Sequence, residues 1–264
     1  MDLELRGKSA LVTGGSRGIG RAVAMGLAKE GARVAICSRS AQSLAATAAD
    51  IRAKTGVEVL QIPADLSSLA GVTTVATRAV EHFGGLDVLV NNAGAIRGGD
   101  FMKIPDEQWM GDWSLKLLGY IRMCRAIFPV MQQHGGGRIC NVVGAAARNP
   151  SPGYLVGGTA NAALINFTKG LADLGAPSQI LVTGVSPAAT ATERWESLIE
   201  QQAKAAGQPY EDYRADAVRA YPLGRIGTSE DVADLVCFLV SARAAFLTGI
   251  TITIDGGSTR GVYP

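Results

Sequence analysis

The feature that most constrains this chain is a glycine-rich turn at residues 13–20, which joins an apolar run to an alanine-rich amphipathic run. This pattern predicts a short buried strand that leads directly into a helix. Gly14, Gly18 and Gly20 permit a tight turn and let the backbone approach a ligand closely. A helix that begins at Gly18 presents unpaired N–H groups and the positive end of its dipole to an anion. The stretch therefore predicts a pyrophosphate-binding turn.

The same residues permit a second interpretation, as a nucleophile elbow with the pattern Gly-x-Ser-x-Gly. In that case Ser16 would be the nucleophile of a hydrolase. Such an enzyme also needs an acid and then a histidine late in the chain. His82 and His134 instead fall in mid-chain, in segments predicted to be helix ends. The nucleotide-binding interpretation is therefore favoured.

Strand and helix patterns alternate along the rest of the chain. Strands this continuously apolar are covered on both faces, and β-α-β crossovers are right-handed. The sequence therefore predicts an α/β, single-domain Rossmann fold over 1–264, with a doubly wound parallel sheet of about seven strands and helices on both faces. Ligands of such sheets bind outside the carboxyl ends of the strands. After the first unit, strands are predicted at 33–38, 57–62, 86–90, 138–143, 179–185 and 250–254, and helices at 41–54, 67–83, 106–133, 154–175 and 230–240. Asp65 or Ser67 is the predicted cap of the helix at 67–83.

Composition limits the partners and the compartment. The net charge is only +2 and the basic residues are scattered, so nucleic acid is not indicated as a partner. No apolar run approaches the roughly 18 residues of a membrane span, and the N-terminus lacks a signal-peptide core, so we expect a cytoplasmic protein without membrane association. The four cysteines are isolated in apolar stretches, which predicts buried side chains and no metal site.

A long segment, 188–222, separates the predicted sixth strand from the next core helix and is rich in Ala, Gln and Glu. It is predicted to form one or two amphipathic helices. A segment of this length between core elements indicates a lid or a substrate loop. The expected pocket wall comprises Ile96, Arg97, Arg148, Tyr154, Pro187, Thr192, Arg194 and Trp195.

Several short motifs follow one another along the chain. They are Thr13-Gly14-x-x-x-Gly18-x-Gly20, Asp65-Leu66, Asn91-Asn92-Ala93-Gly94, Gly137-Arg138-Ile139, Arg225-Ile226-Gly227 and Asp255-Gly256-Gly257. In this order and spacing they resemble the short-chain dehydrogenase/reductase family of the classical type, over nearly the whole chain. The resemblance implies an oxidoreductase that acts on a small carbonyl or alcohol substrate. It also implies a homo-oligomer, a tetramer or a dimer, which apolar residues at Phe246, Leu247, Ile250 and Ile252 favour.

The resemblance further implies which residues hold a nicotinamide cofactor. The glycine turn would hold the pyrophosphate, Asp65 and Leu66 would contact the adenine, and residues 92–94 would support the nicotinamide-side ribose. The complete predicted cofactor set is Gly14, Ser16, Arg17, Gly18, Ile19, Gly20, Ser38, Arg39, Asp65, Leu66, Asn92, Ala93, Gly94, Asn161, Pro187, Ala188 and Thr192.

The end of the second predicted strand indicates the type of cofactor. A carboxylate there would accept a hydrogen bond from a ribose 2′-hydroxyl, whereas a guanidinium would pair with a 2′-phosphate. This chain has Ser38 and Arg39 at that point and Arg17 in the glycine turn, with no acid. The sequence therefore predicts a preference for NADP(H). NAD(H) is the alternative if both arginines are merely solvated.

The catalytic positions depart from the family pattern. The resemblance implies a Ser, a Tyr-x-x-x-Lys pair and an Asn that together orient the substrate and move a proton. By spacing, the Ser position is Gly144, the Tyr position is Gly157, the Lys position is Asn161 and the Asn position is Lys116. All four are replaced, and Lys and Asn have exchanged places. Tyr154 lies three residues before Gly157.

The catalytic candidates are accordingly Lys116, Tyr154 and Asn161. We expect the Lys116 ammonium to reach the space between Gly144 and Gly157 and to have a lowered pKa. The alternative is that Lys116 extends to solvent or pairs with Asp112, one helical turn earlier.

Three functions are compatible with these residues. The first is an atypical NADP(H)-dependent oxidoreductase with a non-standard proton donor and room for a bulky substrate. The second is a catalytically inactive NADP(H)-binding sensor or partner subunit of an active relative. The third is a lyase or isomerase that uses the pocket without redox turnover. The cofactor motifs favour the first two over the third.

Overall fold

The computed structural model describes residues 1–259 and shows seven strands flanked by helices. The strands are β1 (Ser9–Thr13), β2 (Arg33–Ser38), β3 (Val59–Pro63), β4 (Val88–Asn91), β5 (Gly137–Val142), β6 (Ile180–Pro187) and β7 (Thr251–Ile254). The helices are α1 (Gly18–Lys29), α2 (Ala41–Thr55), α3 (Leu69–Phe83), α4 (Asp106–Gln133), α5 (Leu155–Gly175), α6 (Glu193–Ala206), α7 (Tyr210–Arg219) and α8 (Ser229–Leu239).

All seven strands form one parallel sheet in the order β3-β2-β1-β4-β5-β6-β7. Leu11 of β1 is in register with Ala35 of β2 on one side and Leu89 of β4 on the other. The predicted doubly wound sheet is therefore confirmed. The strand order reverses between β1 and β4, and in such sheets the crevice outside the carboxyl ends at this point is where ligands bind.

The two faces of the sheet bury separate cores. Val12 and Ile36 point to the face covered by α1, α2 and α8. Leu11 and Leu89 point to the opposite face, where they pack with Met123 of α4. Successive residues of a strand point to opposite faces. Coverage on both sides therefore explains why the strands are apolar throughout rather than alternating.

A series of hydrogen bonds between buried polar side chains links β4 and β5 to α5. Asn91 Nδ2 of β4 donates to Asn141 Oδ1 of β5 at 3.0 Å, and Asn141 Nδ2 donates to Thr168 Oγ1 of α5 at 3.0 Å. Thr168 Oγ1 in turn donates to the Leu164 carbonyl at 2.7 Å. Buried polar groups are costly unless paired, so this chain fixes α5 relative to β4 and β5.

Helix α3 begins two residues later than predicted. Ser68 is its N-cap, and its Oγ accepts from the Gly71 N–H at 3.0 Å. The predicted caps, Asp65 or Ser67, are wrong because the Asp65 carboxylate accepts the Ser67 N–H within the preceding loop. The ends of most other elements shift by one or two residues from their predicted bounds.

The prediction that the cysteine side chains are buried is confirmed. All four thiols are free and buried, and burial raises the pKa of each to about 12. Within residues 1–259, no group of His, Cys, Asp and Glu side chains is arranged to hold a metal ion. In the same range, no helix is both long enough and apolar enough to cross a bilayer.

Candidate functional site

The predicted site residues follow the carboxyl ends of six strands. Because the strands are parallel, the loops after them meet at one edge of the sheet. The glycine turn follows β1, residues 38–39 close β2, and residues 65–66 follow β3. The remaining residues come from the loops after β4, β5 and β6, from helices α4 and α6, and from the first turns of α5.

The glycine turn is held by its backbone. Gly14 and Gly18 have φ angles of +67° and +54°, a conformation that favours glycine. A Cβ on Gly20 would overlap the Gly14 carbonyl oxygen and Asn92 Nδ2. Asn92 Nδ2 itself donates to the carbonyls of Thr13 at 3.0 Å and Gly14 at 3.2 Å. The turn is thus closed against the loop after β4 and leaves no room for a side chain at position 20.

The turn also presents the N-terminus of α1 to the sheet edge. Arg17 is the N-cap, and its side chain makes no capping hydrogen bond. The first N–H groups of α1 are consequently available to an anion. The Ser16 carbonyl accepts from Thr47 Oγ1 of α2 at 2.9 Å, which holds the turn from the other side. This geometry fits a pyrophosphate.

Thr13 was not among the predicted cofactor residues, yet it organises this end of the site. Its Oγ1 accepts from the N–H groups of Asn92 at 2.9 Å and Ala93 at 3.1 Å, and donates to the Val90 carbonyl at 3.3 Å. The signal in the sequence is a hydroxyl at the end of a buried strand, because such a group must find partners.

Two of the predicted contacts need refinement. The Leu66 side chain is buried in the core that includes Val72, so a contact with adenine would come from its backbone. Ile19 is likewise packed against the core of the opposite face. The side chains of both residues therefore pack against the core rather than line the predicted cofactor site.

Two arginines near the predicted cofactor site are exposed, Arg39 directly after β2 and Arg17 in the glycine turn. Ser38 lies between Arg39 and the buried part of the strand. The pKa of Asp65 is lowered, chiefly by the hydrogen bond from the Ser67 backbone and in smaller part by the charge of Arg39. A guanidinium here could pair with a phosphate on the ribose, and the preference for NADP(H) stays a prediction.

At the position expected for the family's serine, Gly144 has a φ angle of +147°, which a residue with a side chain adopts only with strain. A Cβ there would lie 2.9 Å from Asn161 Nδ2. Asn161 is buried, and its Oδ1 has no hydrogen-bond partner among residues 1–259. Gly144 and Asn161 therefore pack against each other, and a side chain at position 144 would require Asn161 to move.

Tyr154 occupies the space beside Gly157. A Cβ on Gly157 would overlap Cε1 and Cζ of the Tyr154 ring and lie 2.6 Å from its hydroxyl oxygen. Tyr154 ends a 3₁₀ turn, Pro152–Tyr154, and α5 begins only at Leu155, one residue later than predicted. This turn folds the ring back over the first turn of α5. The pKa of Tyr154 is raised, chiefly by burial. Arg194 opposes this increase, and the charge of Asp112 adds to it.

Lys116 is buried, with 8% of its surface exposed. Its Nζ donates to the Val142 carbonyl at 2.7 Å and to the Tyr120 hydroxyl at 3.0 Å. Burial, and in smaller part the charge of Arg194, lowers the pKa of Lys116 to about 7. The expected lowering of the pKa is thus confirmed, whereas the expected reach of Nζ into the space between Gly144 and Gly157 stays a prediction.

The alternative environment for Lys116 is wrong. The Asp112 carboxylate accepts the Arg97 N–H at 3.2 Å and pairs with the Arg97 guanidinium at 3.6 Å. The Lys116 stem instead packs against Gly94, where a Cβ would lie 2.5 Å from Lys116 Cδ. A role for Lys116 in turnover stays a prediction.

The 188–222 segment forms two helices, α6 and α7, at the upper limit of the prediction. Trp195 was predicted to line the pocket, but it is buried in the interior of this segment with Ile199 and Ile226, beneath the Arg214 guanidinium. Arg194 points the other way. Its Nη2 donates to the Ile96 carbonyl at 2.6 Å, and its Nη1 donates to the Gly94 carbonyl at 3.4 Å.

The hydrolase alternative fails on geometry. His134 is the C-cap of α4, and its ring nitrogens contact the carbonyls of Val130 at 2.7 Å and Gly84 at 2.9 Å. His82 lies in the last turn of α3. These helix ends lead into strands, so both histidines lie at the amino end of the sheet, opposite Ser16.

The model of the family described as short chain dehydrogenase matches residues 8–203 of this chain. The chain belongs to the short-chain dehydrogenase family. This membership makes it an NAD(P)-dependent oxidoreductase of that family.

Relatives of this short-chain dehydrogenase align over nearly their whole length. The short-chain reductase protein NovJ from Streptomyces niveus is 35% identical over 248 residues, which is 94% of this chain and 92% of NovJ. The 3-oxoacyl-acyl-carrier-protein reductase FabG from Aquifex aeolicus is 34% identical over 257 residues, covering 97% and 99% of the two chains. The crystal structure of L-sorbose reductase from Gluconobacter frateurii, complexed with NADPH and L-sorbose, has a TM-score of 0.95 and 32% identity over 99% of this chain and 100% of that one.

Proposed function

We propose that this short-chain dehydrogenase is an atypical NADP(H)-dependent oxidoreductase of the carbonyl reductase or alcohol dehydrogenase type, with Tyr154 as its proton donor. The observation that carries the proposal is the Tyr154 ring in the space beside Gly157. A phenol is thereby present near the expected position although the chain has no tyrosine there. The reductase names of NovJ and FabG, and the NADPH complex of L-sorbose reductase, support reduction of a carbonyl.

The residues at the other end of the site fit the cofactor. The backbone of the glycine turn and the N-terminus of α1 would hold the pyrophosphate, since a Cβ on Gly20 would fill the space that the turn closes. Arg17 and Arg39 would pair with the 2′-phosphate. Asn92, Ala93 and the other predicted cofactor residues complete this side. When bound, the reduced nicotinamide would supply a hydride.

Tyr154 would supply the proton. As the substrate carbonyl is reduced, its oxygen gains negative charge and takes the proton from the Tyr154 hydroxyl, which is left as a phenolate until water reprotonates it. If position 157 were a tyrosine, its hydroxyl would be separated from its Cβ by the length of the aromatic ring. The Tyr154 hydroxyl lies 2.6 Å from that Cβ position and therefore nearer to α5.

This displacement leaves space for a bulky substrate. Gly144 and Gly157 contribute no side chains, and the donor is set back towards α5. The 188–222 segment would act as the lid of this space, because Arg194 and Thr192 bring its first helix to the same edge of the sheet.

The proposal is tested by NADPH oxidation against a panel of ketones, quinones and acyl thioesters, in the wild type and in Tyr154→Phe. We expect kcat on any substrate found to fall at least about 100-fold in Tyr154→Phe, with unchanged NADPH affinity. Tyr213→Phe is the matched control, because Tyr213 packs within the lid segment. Equal turnover in Tyr154→Phe would refute Tyr154 as the donor.

The second candidate is a non-catalytic NADP(H)-binding sensor or partner subunit. Its supporting observation is that Lys116 Nζ is engaged with two inward acceptors, while Asn161 carries no charge at the lysine position. Tight NADPH binding without turnover of any panel member would favour this candidate over the enzyme.

We also propose that the chain forms a homo-oligomer. Phe246 is fully exposed, and Leu174 and Ile250 are also exposed, on segments that meet where Gly249 approaches α5. Leu247 and Ile252, also predicted for this surface, instead pack against the core. We expect a tetramer or dimer by light scattering at micromolar concentration, and smaller species for Phe246→Asp. A monomeric wild type would contradict the proposal.

A further inference from the structure

The base of the lid segment is tied to the core, whereas its first helix reaches across the site. Thr190 forms a parallel bridge with Gly227, and the Ala191 N–H donates to the Gly227 carbonyl at 2.8 Å. Just beyond this tie, Thr192 caps α6, and its Cγ2 would lie 3.3 Å from a Cβ on Gly18. The first turn of α6 is thus held between the fixed base and the glycine turn.

The Arg194 guanidinium joins this turn to two other parts of the site. It donates to the carbonyls of Gly94 and Ile96, in the loop after β4. It is also close enough to the Tyr154 side chain to lower the pKa of the phenol. A single side chain of the lid segment therefore binds the loop after β4 and acts electrostatically on the proposed proton donor.

Neither Lys116 nor Asn161 is among the groups that lower the pKa of Tyr154. Lys116 Nζ is directed to the Val142 carbonyl and the Tyr120 hydroxyl, and Asn161 is neutral. The buried Asp112 of α4 raises the pKa of Tyr154. Asp112 is itself paired with Arg97, whose side chain is mostly exposed.

We propose that Arg194 is a positioning residue that couples closure of the 188–222 segment to proton transfer at Tyr154. Its guanidinium lies beside the phenol when α6 is docked on the Gly94 and Ile96 carbonyls, and leaves with α6 when the segment opens. The inference rests on the proposed role of Tyr154 as the donor.

The electrostatic consequence is specific. A positive charge beside the phenol stabilises the phenolate that proton transfer leaves behind, and opposes the effects of burial and of Asp112. The same charge lowers the pKa of Lys116. Loss of Arg194 should therefore raise the pKa values of Tyr154 and Lys116 together, which loss of a purely structural contact would not do.

The test places a fluorinated tyrosine at position 154 of the full chain and follows its ionisation by fluorine NMR. We expect Arg194→Met to raise the pKa of that tyrosine by about one unit or more, and Arg194→Lys to retain part of the lowering. Arg219→Met is the matched control, because it removes an exposed arginine of the same segment that pairs with Asp216 on its own helix. It should leave the titration unchanged.

Hydrogen exchange in the same variants reports docking of the segment. We expect Arg194→Met, and not Arg219→Met, to speed amide exchange several-fold in residues 94–98 and 193–199. If amide exchange becomes faster in Arg194→Met but the pKa of the tyrosine does not change, the coupling is overturned, and Arg194 only holds the segment in place. An unmoved pKa with unchanged exchange would overturn the inference entirely. Turnover that survives Tyr154→Phe would instead refute the proposed function, whatever these measurements give.

Discussion

The glycine turn and the pocket around Gly157 lie at the same edge of one sheet, but they are built from different parts of the chain. The turn is made of backbone, closed by Thr13 and Asn92 through hydrogen bonds to main-chain groups. The pocket is formed by side chains that stand at other positions than in the family pattern. Tyr154 fills the space at position 157, and Lys116 is buried against Gly94.

The difference shows how each kind of site tolerates change. A backbone cradle depends on where chains approach closely, so a single added carbon disrupts it. A side-chain site depends on where functional groups end up, so the same group can reach the site from a neighbouring position. The predictions below test this contrast, from the largest expected effect to the smallest.

Gly20→Ala should be the most damaging change at the cofactor end. The new Cβ would overlap the Gly14 carbonyl oxygen and Asn92 Nδ2, both held by hydrogen bonds. We expect NADPH affinity to fall on the order of 100-fold and stability to drop by about 1–3 kcal/mol. Calorimetric titration and urea unfolding measure both quantities. Gly111→Ala, in an open position of α4, is the control, and wild-type binding by Gly20→Ala would contradict the cradle.

Gly157→Ala and Gly170→Ala form a matched pair on α5. A Cβ at 157 meets the Tyr154 ring, whereas a Cβ at 170 has no neighbour within 4 Å. Gly170→Ala should stabilise the fold by up to about 1 kcal/mol through helix propensity. Gly157→Ala should cost about 1–3 kcal/mol and displace the ring. Equal unfolding free energies for the two variants would show that Tyr154 does not fill this space.

Much of the fold was predictable from the sequence for a physical reason. Strands buried on both faces, such as the one that contains Leu11 and Val12, need continuous apolar residues. Glycines are needed where φ is positive, as at Gly14. Ser68 was missed as the cap of α3 because Asp65, Ser67 and Ser68 are all good caps, and only the loop geometry selects among them.

The pocket was less predictable because it depends on where side chains end in space. Spacing identified Gly157 as a gap, but the 3₁₀ turn before α5 is what brings Tyr154 into it. Likewise, Arg194 was only one of several expected wall residues. Its bonds to the Gly94 and Ile96 carbonyls depend on the packing of α6, which lies a hundred residues away along the chain.

Arg39→Asp should reverse the cofactor preference. A charge-assisted contact with the 2′-phosphate contributes about 1.5–3 kcal/mol, so the wild type should bind NADPH more than about tenfold more tightly than NADH. An aspartate would repel that phosphate and accept from a ribose hydroxyl instead. Calorimetric titration of both cofactors decides the matter. Equal or tighter NADH binding by the wild type would contradict the assignment.

Lys116→Met should alter the pH dependence of stability. The pKa of Lys116 is about 7 in the folded chain and 10.5 when it is solvated, so between these values unfolding takes up a proton. Stability from this group therefore rises with pH, by at most about 1.4 kcal/mol per unit, and is lowest below pH 7. Unfolding free energies at pH 7 and pH 8 should show this rise in the wild type and lose it in Lys116→Met. The same slope in both proteins would contradict the buried amine.

The central claim is that the cofactor end is conserved in form while the proton donor has moved to Tyr154. Its most direct test is the single-turnover rate of NADPH oxidation, measured by stopped-flow absorbance, in wild type and Tyr154→Phe loaded with NADPH and a substrate found in the panel. The account predicts equal NADPH affinity and a rate at least about 100-fold lower in Tyr154→Phe. Equal affinity with an equal rate would contradict it.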